Sequence, residues 1–188
     1  GKKSAGDMEM RGNGPYNGSG IDIHINSKVD SVNVTEKTVS VKGRETIIYD
    51  KLLLATGNRP YLPPEIKGSG ANGVFALRTL ADARAMAERV SVTDHAVMLG
   101  GGLLNLKAAF ALLERGVKVT LVVYSPEVLS QLMERDDALL IRNALDGAGL
   151  KIKTGCSATG ILSDKSGVTG VTLDDGSELP CQMICIGK

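Results

Sequence analysis

The chain is 188 residues long, which leaves room for one full domain or for one domain and part of another. Its 22 basic and 21 acidic residues leave a net charge of +1 without a long single-sign run, and aromatics make up 3% with no Trp. This gives neither the basic footprint nor the stacking platform of a nucleic-acid binder. With no apolar stretch of roughly 18 residues and no secretory leader pattern, the chain reads as a soluble, cytoplasmic protein with no membrane partner.

The first 20 residues carry no periodic pattern, and the chain opens at Gly1 and stops at Lys188 directly after an apolar run, so both ends read as cut. From Ile21 the pattern has period two: Ile21, Ile23 and Ile25, then Val32 and Val34, then Val39 and Val41. With turn-like breaks at Thr35–Lys37 and Lys42–Gly43, this predicts a short antiparallel meander with one wet face. Lys51–Thr56 (KLLLAT) is apolar on consecutive residues, as in a buried central strand, and Gly57 stops it. Asn58–Gly73 is punctuated by Pro60, Pro63, Pro64 and several glycines and reads as a crossing between two units.

The second unit opens with a capping-box start at Thr79 and Asp82 and a predicted helix over Leu80–Val90. Ala96–Leu99 is a short buried strand, followed by a glycine turn and a helix from about Leu103 to Arg115 with an apolar stripe of Leu103, Leu106, Phe110 and Leu113. Gly116 suits its C-terminal cap, and Val117–Val123 is the next buried strand. Ser125-Pro126-Glu127 has the form of a helix start, and Asp136–Asp137 opens another helix that runs to about Asp146. Leu150–Thr154 is a third strand, and Gly160–Leu173 and Glu178–Ile186 supply more, with Asp175-Gly176 a hairpin turn signal. The expected fold is α/β, a nucleotide domain with a parallel sheet plus a β-meander.

Three cysteines, an odd number, argue against a disulfide framework. Cys156, Cys181 and Cys185 read as reduced packing residues, and His24 and His95 are too distant in sequence to join them in a metal site. The chemistry sits instead in Leu99-Gly100-Gly101-Gly102-Leu103-Leu104-Asn105. A lone glycine pattern is weak, but here a buried strand precedes it, and an amphipathic helix and a second buried strand follow. Gly100 permits the tight turn, Gly102 lets a pyrophosphate approach the backbone, and the helix from Leu103 offers free N–H groups and a positive dipole end. Two positions depart from the pattern. Asn105 stands where a third glycine allows close helix–strand contact, so either the helix sits slightly away or Asn105 finds a polar partner. The carboxylate that would bind the ribose hydroxyls should end the second strand, where Val123 stands, and no Arg follows, so the sequence does not choose between NAD and NADP. Glu127 is close by but reads as the start of the next helix.

The ordered set LLLATGNRP (Leu52–Pro60), LRTLADA (Leu77–Ala83), VMLGGGLLNLKAA (Val97–Ala109) and VTLVVYSPEVLSQLMERD (Val119–Asp136) resembles the FAD-dependent pyridine nucleotide-disulfide oxidoreductases. The likeness is greatest to the branch of nitrite reductase large subunits, rubredoxin reductases and NADH oxidases, and it spans Ile21 to Lys188. The resemblance implies a Rossmann-like nicotinamide domain over 61–188 and a partial FAD-binding segment over 1–60. It implies that Ala55, Thr56 and Gly57 lie close to FAD with Arg59 just beyond. Gly100, Gly101, Gly102, Leu103 and Leu104 would hold the NAD(P)H pyrophosphate, and Gly187 would lie near the nicotinamide. Relatives carry Gly at the position of Asn105 and Glu at that of Lys107, so Lys107 reverses the charge beside the rings. The acceptor implied is a small molecule or a small redox protein, with a homodimer formed through segments outside this chain. No residue stands out as a general acid, base or nucleophile. The other readings are a non-catalytic dinucleotide-binding module with a degenerate site, and an unrelated simple NAD dehydrogenase. The second is disfavoured because about 95 residues precede the nucleotide strand.

Overall fold

The computed structural model describes residues 20–187; the aperiodic opening stretch up to residue 19 and Lys188 lie outside the described residues. The chain divides into two compact units, one ending at Asn58 and one beginning at Arg59.

The first unit is a three-stranded antiparallel meander of β1 (Val29–Asn33), β2 (Thr38–Val41) and β3 (Ile47–Ile48), in that order. Its predicted turns form where expected. Asn33 Oδ1 accepts the backbone N–H groups of Thr35 and Glu36 at 3.1 and 3.0 Å, and Lys37 and Gly43 take φ of 50° and 72°. Val39 and Val41 are buried, but Ile21, Ile23 and Ile25 precede the first strand and are exposed. The buried strand expected at Lys51–Thr56 does not form. That stretch has no regular secondary structure, and Leu53 and Leu54 are 87% and 70% exposed. A run of consecutive apolar residues shows only that cover on both faces would be favourable, and no described strand pairs with this one.

The second unit is built on a five-stranded parallel sheet, ordered β4-β11-β5-β6-β7, from β4 (Val74–Phe75), β5 (His95–Leu99), β6 (Lys118–Val123), β7 (Lys151–Thr154) and β11 (Met183–Ile186). Its central strands are buried on both sides, which is why they read as continuous apolar runs. Ala96, Met98, Val119, Leu121, Met183 and Cys185 face one core with residues of α1 (Leu80–Arg89), α2 (Leu103–Leu113) and α3 (Arg135–Gly147). The alternate residues Val97, Leu99, Val122, Ile184 and Ile186 face a second core. That core is closed by a three-stranded antiparallel sheet of β8 (Ala158–Asp164), β9 (Gly167–Leu173) and β10 (Glu178–Pro180). The two-residue β4, directly after the proline- and glycine-rich crossing, was not legible, because two residues carry no period.

The capping box of α1 forms as expected: Thr79 Oγ1 accepts from Asp82 N at 3.2 Å, and Asp82 Oδ2 accepts from Thr79 N at 2.7 Å. Two expectations are corrected. Of the stripe expected on α2, Leu106 is buried and Phe110 and Leu113 pack against the core beside Ala109 and Leu112, whereas Leu103, at the open start of the helix, is 52% exposed. No helix starts at Ser125-Pro126-Glu127; the segment is a loop, since Leu129 takes φ of 54° and its N–H returns to Gly101 O at 3.1 Å. The helix expected to open at Asp136–Asp137 does form, beginning at Arg135 with both carboxylates in its first turn. All three cysteines are buried and free, as expected.

Candidate functional site

The glycine turn sits at the C-terminal end of β5, where α/β sheets place ligands. Gly100 extends the strand by one bond, its N–H donating to Val122 O at 2.8 Å, and then turns with φ of 111°. A Cβ at Gly100 would collide with the Gly187 carbonyl, so glycine is required there on both counts. Gly187 in turn donates its N–H to Leu99 O at 2.9 Å, which brings the end of β11 against the end of β5. A Cβ at Gly101 would sit 3.0 Å from Val123 Cγ1, so this glycine seals the turn onto β6.

Gly102 differs from its neighbours. Nothing lies within 4 Å of the place its Cβ would occupy, and it is the N-cap of α2 without any side-chain cap bond. The first intrahelical bond is Leu106 N to Gly102 O at 3.1 Å. The N–H groups of Leu103, Leu104 and Asn105 therefore have no helical acceptor, and no acidic residue stands in the first turn. An uncapped, uncharged helix start beside an open glycine suits an anionic oxygen cluster such as a pyrophosphate.

Asn105 resolves the departure at the third glycine position. It is 2% exposed, and its Nδ2 donates to Leu99 O and Gly100 O, both at 2.9 Å. Cys185 Sγ donates to its Oδ1 at 3.7 Å, and a Cβ on Gly187 would run into the Asn105 amide. Of the two alternatives open at the sequence level, the polar partner is the one found, and the partner is the backbone of the turn itself.

A cleft of about 540 Å³ opens over the turn and is lined by Gly100–Gly102, Gly187 and the loop after β6. Sequence reasoning missed that loop's contribution: Tyr124, Ser125, Ser130 and Gln131 line the cleft, and Ser130 Oγ donates to Ser125 Oγ at 2.9 Å. The signal was present, since a loop leaving the strand next to a glycine turn is where a ribose is met, but Ser125-Pro126 resembled a helix cap. Leu103 and Leu104 lie half-exposed at the start of α2, and Lys107 is exposed on the same helix and does not line the cleft. Ala55, Thr56 and Gly57 belong to the first unit, where they are exposed and without regular structure, and Arg59 opens the second.

No thiol here is poised to react. Burial pushes Cys181 up to about 12 and Cys185 up to about 11, and raises Cys156 at the cleft wall. No cluster of three metal-ligating side chains occurs among the described residues, and no helix among them is long and apolar enough to cross a membrane.

A strand–glycine turn–helix unit with a backbone-lined anion corner defines a dinucleotide-binding α/β protein. The chain belongs to the pyridine nucleotide-disulphide oxidoreductase family, whose model matches residues 5–188. It is 28% identical over 184 residues to the nitrite reductase (NADH) large subunit of Escherichia coli (strain K12), covering 96% of this chain and 21% of that protein. It is 31% identical over 173 residues to rubredoxin-NAD(+) reductase of Pseudomonas putida, covering 92% of this chain and 44% of that protein. The chain thus spans less than half the length of these curated relatives. Among solved structures, the ferredoxin reductase for the CYP199A2 system from Rhodopseudomonas palustris superposes with a TM-score of 0.81 at 28% identity, over 87% of this chain and 40% of that one. The reductase in the covalent putidaredoxin reductase–putidaredoxin complex gives 0.78 at 28% identity, over 86% and 40%.

Proposed function

We propose that this chain forms part of an FAD-dependent NAD(P)H oxidoreductase, with 61–188 as its nicotinamide-nucleotide domain and 1–60 as a segment of its flavin domain. The observation that carries the reading is the uncapped start of α2 with Gly102 open above it, facing a cleft walled by the ends of β5, β6 and β11. When bound, the two cofactors supply hydride transfer from nicotinamide to flavin and onward electron transfer. The chain's own contribution is to bind and orient. The N–H groups of Leu103 and Leu104 would meet the pyrophosphate, the open Gly102 would let it approach the backbone, and Gly100 and Gly101 form the tight turn against Gly187 and Val123. Asn105 holds the turn to the end of β11, so that Gly187 presents a bare backbone toward the nicotinamide end. Ala55–Gly57 and Arg59 are assigned to the flavin side by family resemblance. The acceptor is a small molecule or a small redox protein, in keeping with relatives named for nitrite and rubredoxin and with a reductase solved joined to putidaredoxin.

The test is anaerobic titration of the purified full-length flavoprotein with NADH and with NADPH. Bleaching of the flavin absorbance by either is expected. Nucleotide binding that leaves the flavin oxidised would favour the non-catalytic module instead.

A further inference from the structure

We infer that the cleft over Gly100–Gly102 accepts the 2′-phosphorylated and the unphosphorylated nicotinamide dinucleotides with nearly equal affinity, an inference that rests on reading the cleft as a dinucleotide site. Discrimination between the two is made at the adenosine 2′ position. A carboxylate at the end of the second nucleotide strand binds the free diol and repels a phosphate, and an Arg near it does the reverse.

Neither device is in place. The strand is β6, and its last residue, Val123, is buried with its methyl groups against Gly101. Beyond it the wall continues through Tyr124, which is 76% exposed, then Ser125, Ser130 and Gln131. Among the described residues, no charged side chain lines the cleft at all. Two charges on neighbouring segments lie outside that lining. Glu127 sits outside the lining, its buried Oε2 3.8 Å from Arg142 Nη1 and without a hydrogen-bond partner, and Lys153 on the neighbouring β7 is paired with Asp175 at 2.5 Å.

The consequence follows from what each ligand would meet. The free diol finds the Ser125–Ser130 hydroxyl pair and the Gln131 amide, which donate and accept without a fixed charge. Among the residues that line the cleft, a 2′-phosphate finds no anion to repel it and no cation to hold it. Because Tyr124, Ser130 and Gln131 are exposed, the phosphate keeps much of its water and loses little on binding. What the two dinucleotides share, the pyrophosphate at the start of α2, then carries the affinity of both.

The experiment is calorimetric titration of the full-length flavoprotein with NAD+ and NADP+ at one ionic strength, which reads binding without turnover. Dissociation constants within about tenfold of each other support the inference; a wider preference for either overturns it while leaving the dinucleotide site intact. Failure to bind both, in a folded and flavin-loaded sample, overturns the proposed function as well. Two variants at the wall sharpen the result. Gln131→Arg is expected to tighten NADP+ about tenfold with NAD+ nearly unchanged, and Ser125→Asp to weaken NADP+ by at least as much. If neither variant moves the ratio, this wall does not face the 2′ position and the inference fails.

Discussion

The two units use apolar residues in opposite ways. In the second, Val97 and Met98, adjacent on β5, are both buried because one faces the helices and the other faces the antiparallel sheet. In the first, adjacent Leu53 and Leu54 are both largely exposed. The same sequence signal therefore has different outcomes depending on whether two covering layers exist, and the energetic weight of a residue follows the cover rather than the residue type.

The sharpest way to break this comparison is to truncate one leucine in each unit. Leu121→Ala, in the middle of β6, removes a side chain from a closed core and is expected to cost about 4 kcal/mol. Leu53→Ala is expected to change stability by no more than about 0.5 kcal/mol. Denaturant unfolding of the full-length protein measures both. A loss at Leu53 as large as that at Leu121 would mean that Leu53 is covered in the complete protein, and the contrast would dissolve.

Glycines give a second contrast. Gly100 and Gly43 both take positive φ, 111° and 72°, but only Gly100 has backbone where a Cβ would go. Gly43→Ala is expected to cost about 1 kcal/mol, the left-handed penalty alone. Gly100→Ala adds the collision with Gly187, raising the cost to about 3 kcal/mol and abolishing dinucleotide binding. Equal costs would show that the turn yields without resistance. Calorimetry and unfolding read the two effects separately.

These contrasts also mark what the sequence could and could not say. The four longer strands of the parallel sheet and the capping box of α1 were legible because each rests on a local pattern with one physical solution. The glycine turn was legible because neighbouring strand and helix signals agreed with it. KLLLAT was not, since a continuous apolar run does not state where its cover comes from. Ser125-Pro126 carries a helix-start signal that lost to a tertiary bond, Leu129 N to Gly101 O. Asn105 was legible as an exception but not as a solution, because its partners are backbone carbonyls fixed only once the turn is folded. Asn105→Ala leaves the carbonyls of Leu99 and Gly100 without that donor in a buried place, at an expected cost of about 2 kcal/mol. Dinucleotide affinity should fall with it, whereas a purely structural tie would lower stability and leave affinity unchanged.

The smallest expected effect is electrostatic and lies at the rim of the second unit. Lys153 Nζ meets Asp175 Oδ2 at 2.5 Å, and Ser177 Oγ and N also donate to Asp175 Oδ1. The Lys153 ammonium first, and then Ser177, hold the Asp175 carboxyl well below the usual carboxylate range, while the carboxylate raises Lys153 above its ordinary value. A depressed carboxyl contributes stability above the unfolded pKa of about 4 and loses it as pH falls toward the folded value. A raised ammonium contributes below its unfolded pKa of about 10.4 and loses it as pH rises through the folded one. The pair's contribution is therefore level across neutral pH and declines at both extremes, and salt screens it because both groups are solvated. Asp175→Asn should lower the unfolding midpoint slightly at pH 7, with the difference from the parent protein shrinking at pH 3 and in concentrated salt. A difference that persists under both conditions would assign the effect to the hydrogen bonds of the Asp175–Ser177 turn, and the pair would then add nothing to the packing that already holds β7 to the sheet.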